Sequence, residues 1–175
     1  EDPQGMRQLK EVVVMGGAVR VPGNVTPFAE FNIYVDPLAA KMVFESGLPI
    51  TLVPLDVTHQ AFLSFRVIEE RVRPLHNSFS RFVVEATGYD SQEGKFRAGA
   101  GVFHLHDPLA VGAVIDPDLV RPERLPIAVE TQEGERYGQT KEYSGNRVSD
   151  NRKLDVCLGV KTEKFLELFL SGLRP

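Results

Sequence analysis

The chain has 175 residues, a formal net charge of -4 and one cysteine. That length suits one domain able to bury about 70% of its unfolded surface. The acidic balance, without any run of lysine and arginine, excludes a nucleic-acid backbone as main partner, and a lone cysteine excludes an internal disulfide and a thiolate metal cluster. The apolar stretches are short and broken by Gly, Pro or charge, which predicts no membrane span, no secretory signal and a cytoplasmic setting.

In chain order, Asp2-Pro3 has the pattern of an N-cap and first helical residue, and a short helix over Asp2 to Lys10 delivers the chain into the apolar run Val12 to Met15. The start at Glu1 rather than methionine suggests a piece of something larger. Three consecutive valines fit a strand buried on both faces, and Met15-Gly16-Gly17 at its end allows a sharp turn. The loop that follows carries Asn24, Glu30 and Asn32, with Phe31 between the last two. In open parallel sheets, ligands sit at the carboxyl edge from which such a loop departs.

Asp36-Pro37 again has the cap pattern, opening a helix with Leu38, Ala39, Met42, Val43 and Phe44 and stopping at Gly47. Pro49 to Asp56 reads as a second buried strand, and Thr58 as the cap of a helix through Glu70 with Phe62, Phe65 and Ile68 inward. Asn77 or Ser78 caps a further helix, whose Phe79, Phe82, Val83 and Ala86 recur at helical spacing as core, ended by Gly88. Tyr89 to Ala100 reads as a mobile surface loop. Asp107 and Pro108 fit the cap and first residue of a helix carrying Leu109, Ala110, Val114 and Ile115, which ends at Asp116-Pro117. Pro126 to Thr131 and Gly138 to Tyr143 form a hairpin through Glu133-Gly134, Leu154 to Val160 is another strand with Cys157 as a buried inert thiol, and a helix from Thr162 closes the chain. Alternation of strand and helix predicts an α/β domain, a largely parallel sheet flanked by helices, with an antiparallel β-hairpin extension near the C-terminus.

The sharpest constellation is His106-Asp107 at a helix start together with Asn24, Glu30 and Asn32 at a strand end. Carboxylate and amide oxygens suit calcium or sugar hydroxyls, and a histidine can donate a proton near neutral pH. Asp107 as a cap and Asn24 as a turn residue are the bland alternatives, and His59, His76 and His104 show no partner pattern and read as structural. The glycines at 16, 17 and 23 miss the dinucleotide fingerprint, and no G-x-S-x-G or phosphate-loop lysine motif occurs.

VVVMGGAVRVPGNVTPFAEFNIYVDPLAAKMVFESGLPITLVPLDVTHQ, followed by HDPLAV, closely resembles the nucleoside hydrolase family of the inosine-uridine preferring type, over a stretch from about Val12 to the terminal helix. The resemblance implies a Rossmann-like fold and cleavage of the N-glycosidic bond of ribonucleosides with a bound calcium ion. Matched position by position, it implies Asp107 as a calcium ligand, His106 as the acid beside the leaving base, Asn24, Glu30 and Asn32 as binders of the ribose hydroxyls, and Met15 and Phe31 in the sugar pocket. It further implies a homodimer or homotetramer, and a base met by loops and a late helix, here the Thr87 to Phe103 region, where Tyr89, Phe96 and Phe103 could stack. Such enzymes carry an aspartate-rich run at the end of their first strand, and the aspartates at 36, 56, 116 and 118 fit caps or strand ends instead. The chain therefore reads as the carboxyl-terminal half, inactive without the missing N-terminal half. A non-catalytic sugar- or nucleoside-binding module is the competing reading.

Overall fold

A computed structural model describes residues 3–6, 8–90, 95–96, 101–143 and 153–174. The chain divides into two units, Glu1–Val57 with Val120–Val160, and Thr58–Leu119 with Lys161–Pro175. In chain order the first stretch holds α1 (Pro3–Met6), β1 (Val12–Met15), α2 (Phe31–Val35), α3 (Pro37–Phe44), β2 (Ile50–Val53) and the one-turn α4 (Leu55–Thr58). Next come β3 (Phe62–Ser64), α5 (Phe65–Val67), a π turn at Ile68–Val72, a 3-10 turn at Arg73–Leu75, α6 (Ser78–Thr87), the paired β4 (Tyr89–Asp90) and β5 (Lys95–Phe96), β6 (Val102–His104) and α7 (His106–Ile115). After a 3-10 turn at Pro117–Leu119, β7 (Val120–Val129), β8 (Thr140–Glu142), β9 (Lys153–Val160) and α8 (Thr162–Ser171) complete the order.

The first unit is built on a five-stranded sheet in the order β1-β2-β9-β7-β8. β1 pairs parallel with β2, Val12 opposite Ile50 and Met15 opposite Val53, and β2 pairs parallel with β9. β7 runs antiparallel to both β9 and β8, so the predicted mixed sheet with its antiparallel extension is what forms. Ile33, Phe44, Ile50, Leu52, Ile127, Val129, Leu154 and Val156 make its core. β1 is half-buried rather than buried on both faces, because it stands at the sheet edge among the described residues. β7 begins at Val120, ahead of the predicted Pro126, since pairing with β9 from Val120 to Pro126 recruits a charged segment that carries no strand pattern of its own. The N-terminal helix is shorter than predicted, and Asp2 and Arg7 lie outside the described residues.

Where β1 ends, the backbone turns through Gly17 at φ +83°. The Glu30 side chain, 2% exposed, accepts from Gly17 N at 2.9 Å, from Asn32 N at 2.9 Å and from Ile33 N at 3.2 Å. One carboxylate thus satisfies two orphan donors at the start of α2 and a donor of the glycine turn. Thr140 Oγ1 accepts from Ala18 N at 2.8 Å and donates to Ala18 O at 3.0 Å, and the Asp56 carboxylate accepts from Val19 N and Arg20 N. Asp36 caps α3 as predicted, accepting from Ala39 N at 2.9 Å.

The second unit departs more from the pattern. Thr58 caps no helix. The chain enters β3, which pairs antiparallel with β6, Phe62 opposite His104, and Ser64 caps α5 instead by accepting from Val67 N. A non-local strand partner overrides a helical periodicity here, leaving Phe62 and Phe65 exposed and only Ile68 buried among the three. α6 has the expected ends, a reciprocal Asn77–Ser80 capping box and Gly88 in the left-handed region. Its buried face is Ser80, Val83 and Thr87, whereas Phe79 and Phe82 are 54% and 69% exposed, so the predicted phenylalanine core stripe is wrong. Ser80 and Thr87 spend their hydroxyls on local backbone carbonyls, which lets a small hydroxyl-bearing face be buried. α7 starts at His106 with Leu105 as an N-cap that offers no side-chain bond, which moves Asp107 and Pro108 inside the first turn and corrects the predicted cap. The Leu105 amide donates to Ala61 O at 2.8 Å, and that pairing fixes where the helix begins. Arg71 holds Glu167 of α8 through two bonds of 2.7 and 2.8 Å.

Cys157 is fully buried, and burial, helped by the Asp155 and Glu11 carboxylates, pushes its thiol up to about 12. Because the thiolate is the reactive form, the native protein at pH 8 should resist alkylation and label fully only in denaturant; native labelling at a free-thiol rate would contradict the inert core position. Glu30→Gln sets an amide N–H among backbone donors and should destabilise the fold by about 1–3 kcal/mol in a denaturant titration. An unchanged midpoint would show that these bonds contribute nothing.

Candidate functional site

Met15, Asn24, Glu30, Phe31 and Asn32 come together in the first unit as one hydrogen-bonded group around the turn after β1 and the start of α2. The loop that carries Asn24 folds tightly on itself: a Cβ at Gly23 would lie 2.1 Å from Ala29 O, and Thr26 Oγ1 accepts from Phe28 N and Ala29 N. Asn24 Oδ1 accepts from Phe31 N at 2.9 Å, and Asn32 Nδ2 donates to Met15 O at 3.2 Å and to Met15 Sδ at 3.3 Å. Glu30, buried beneath them, is saturated by backbone donors, so its first task is to hold the others in place. Asn24 Nδ2 and Asn32 Oδ1 have no partner among the described residues, and both side chains are exposed. One donor and one acceptor on a braced surface, with the Phe31 ring exposed beside them in sequence, suit vicinal hydroxyl groups.

His106 and Asp107 belong to the second unit, in the first turn of α7. His106 Nδ1 lies 2.7 Å from the hydroxyl of the buried Thr58. The rings of His59 and His104 pack against it with centroids 5.9 and 5.6 Å away, and lie 5.0 Å from each other. Burial first, then the neighbouring imidazoles, press the His106 ring toward its neutral form, with Asp107 opposing weakly. Burial and His59 do the same to His104, whose buried Nδ1 has no partner among the described residues. The exposed Asp107 carboxylate sits where the helix dipole favours negative charge.

Among the described residues no group of three or more His, Cys, Asp or Glu side chains could hold a metal ion, the three imidazoles included. Asp107 can supply one carboxylate, with one or two of the six to eight oxygens that calcium takes. The described carboxylate and imidazole side chains therefore do not by themselves make a calcium site.

His59 and His104, which look structural in the sequence, prove to be the packing partners of His106. The adjacency Thr58-His59 and the alternation His104-Leu105-His106 were the available signals, but only the β3–β6 pairing joins them. No local pattern marks Thr140 or Asp56 as braces of the glycine turn; Thr140 lies 122 residues from the amide it serves. Of the region expected to meet the base, residues 91–94 and 97–100 lie outside the described residues.

A family model described as inosine-uridine preferring nucleoside hydrolase matches residues 1–167. The chain is 37% identical over 175 residues to the inosine-uridine preferring nucleoside hydrolase of Crithidia fasciculata, covering 98% of this chain and 54% of that protein. It is 35% identical over 173 residues to the pyrimidine-specific ribonucleoside hydrolase RihA of Shewanella baltica, covering 95% and 52%. Among solved structures, a purine-preferring ribonucleoside hydrolase from Gardnerella vaginalis superimposes with a TM-score of 0.79 at 32% identity, covering 98% of this chain and 55% of that one. A plant nucleoside hydrolase gives 0.85 at 26%, covering 98% and 56%. The chain spans about half the length of the curated relatives it matches. Matched by the family model over residues 1–167 and 37% identical to the Crithidia enzyme over 98% of its own length, the chain belongs to the inosine-uridine preferring nucleoside hydrolase family.

Proposed function

We propose that the complete protein of which this chain forms a part hydrolyses ribonucleosides, nucleoside plus water giving base plus ribose. The observation that carries this reading is the braced Asn24–Glu30–Asn32 group, which leaves a free donor and a free acceptor for sugar hydroxyls. Asn24 and Asn32 bind the ribose hydroxyls, Glu30 keeps both in register, and Met15 and Phe31 furnish its apolar and aromatic contacts. The bond between the anomeric carbon and the base nitrogen breaks with its electron pair going to the base, so the transition state is oxocarbenium-like. His106 gives the departing base a proton from Nε2, while a water oxygen bonds to the anomeric carbon and passes its own proton to a carboxylate of the N-terminal half.

Calcium belongs to this proposal as the ion, with Asp107 as a carboxylate ligand. The remaining ligands and the activation of the water fall to the N-terminal half of the fold. The exposed apolar residues support the need for that half: Val111, Val114 and Ile115 on α7, Leu38 and Met42 on α3, and an apolar groove of about 460 Å³ beside α8, lined by Val111, Ile115, Phe165 and Phe169. A cytoplasmic setting and a homodimeric or homotetrameric assembly are parts of the same reading; no helix among the described residues is long and apolar enough to cross a membrane.

Release of ribose from inosine or uridine by the full-length protein with calcium tests the proposal. Nucleoside binding without turnover would establish the non-catalytic module instead. In the full-length protein, His106→Ala should slow inosine cleavage by about 10²-fold or more and barely affect a p-nitrophenyl riboside, whose leaving group needs no proton. Equal effects on both would remove the leaving-group role. Asp107→Asn should weaken calcium at least about tenfold by calorimetry; unaltered affinity would show that the ligand assignment is wrong.

A further inference from the structure

We propose that Thr58 is a positioning residue for His106: its hydroxyl holds the Nδ1 end of the imidazole, so that Nε2 is the nitrogen left to meet the substrate. The inference rests on the hydrolase reading for its chemical meaning and on geometry for everything else. Thr58 is 0% exposed, and a buried hydroxyl needs a partner. Among the described residues that partner is His106 Nδ1, 2.7 Å away across 48 residues of chain. Among those residues His106 Nε2 has no partner. The side chain is held from three sides, by Thr58 at Nδ1 and by the rings of His59 and His104 at 5.9 and 5.6 Å.

The backbone of Thr58 is equally tied. It is the last residue of α4, its carbonyl accepts from Ala61 N at 3.1 Å, and Ala61 O accepts from the Leu105 amide at 2.8 Å. Thr58 and His106 are thus clamped to each other through main chain as well as through side chains, which gives the hydroxyl a fixed aim. A hydroxyl both donates and accepts, so it keeps Nδ1 in place whichever ring nitrogen carries the proton, and it adds no charge that would bind the imidazolium permanently. Throughout the step Nδ1 stays hydrogen-bonded to the threonine oxygen, and Nε2 stays aimed at the departing base. Nothing has to rotate during the step, which is what an oriented acid contributes.

The test uses the full-length protein with Thr58→Val, which removes the hydroxyl and keeps the shape, and Thr58→Ser, which keeps the hydroxyl. Thr58→Val should lower kcat on inosine roughly 10- to 100-fold with KM within about twofold, leave a p-nitrophenyl riboside unchanged, and be restored by Thr58→Ser to within about threefold of the parent. Equal loss on both substrates would mark a merely structural threonine, and no loss on inosine would overturn the proposal. A readout independent of turnover is the ¹⁵N spectrum of the His106 ring, which in the parent should show one fixed arrangement with Nδ1 hydrogen-bonded. An averaged pattern in the parent overturns the proposal even if Thr58→Val fails to fold. If the full-length protein releases no ribose, the hydrolase reading falls by itself and the ring spectrum still decides whether Thr58 holds His106.

Discussion

A single buried carboxylate organises the turn after β1 and the head of α2. Glu30 accepts from the glycine turn after β1 and from two amides at the head of α2, so the strand end and the helix start cannot move independently. Burying a charge is costly unless it is fully hydrogen-bonded, and three backbone donors offset that cost here while exacting a particular geometry in return. The exposed amides of Asn24 and Asn32 inherit their positions from it: Asn24 bonds Phe31 N, next to Glu30 in the chain, and Asn32 bonds Met15, at the strand end that Glu30 secures. A binding surface made of short polar side chains is precise only when its backbone is rigid, and this one is held by Glu30, Thr140 and Asp56 together.

The second unit solves a different problem. An imidazole is fixed in place when one ring nitrogen is hydrogen-bonded and its ring plane is held. Thr58 occupies the one, and His59 and His104 restrict the other. Crowding imidazoles together disfavours charge on each, which accords with the downward pressure on both His104 and His106. Asp107, adjacent in sequence, is exposed in the first turn of α7, where the helix dipole favours its charge. The apolar residues exposed on α3 and α7 and the strand edge at β1 are surfaces of the kind that buried interfaces are made from.

How legible was this beforehand? Short-range chemistry came through. The Asp36-Pro37 and Asn77 caps, the Gly88 stop, the apolar β1, β2 and β9 runs and the inert Cys157 all depend on residues within a few positions of one another, and each was readable for that reason. The spacing of MGG, GN, AEFN and HDPLAV carried the family as well, and with it the grouping of Asn24, Glu30 and Asn32. Phe79 and Phe82 deceived because helical periodicity reports that a face is apolar without saying that anything covers it.

From its own residues the sequence determined the local turns and caps, the family and the chemical types present at the site. Tertiary structure alone decided that Phe62 belongs to a strand, that α7 opens at His106 rather than behind an aspartate cap, and that Thr58, His59 and His104 surround that histidine. Each of these depends on β3 meeting β6 some 40 residues later, and a hydrogen-bonded ladder between distant segments leaves no periodic trace in either one.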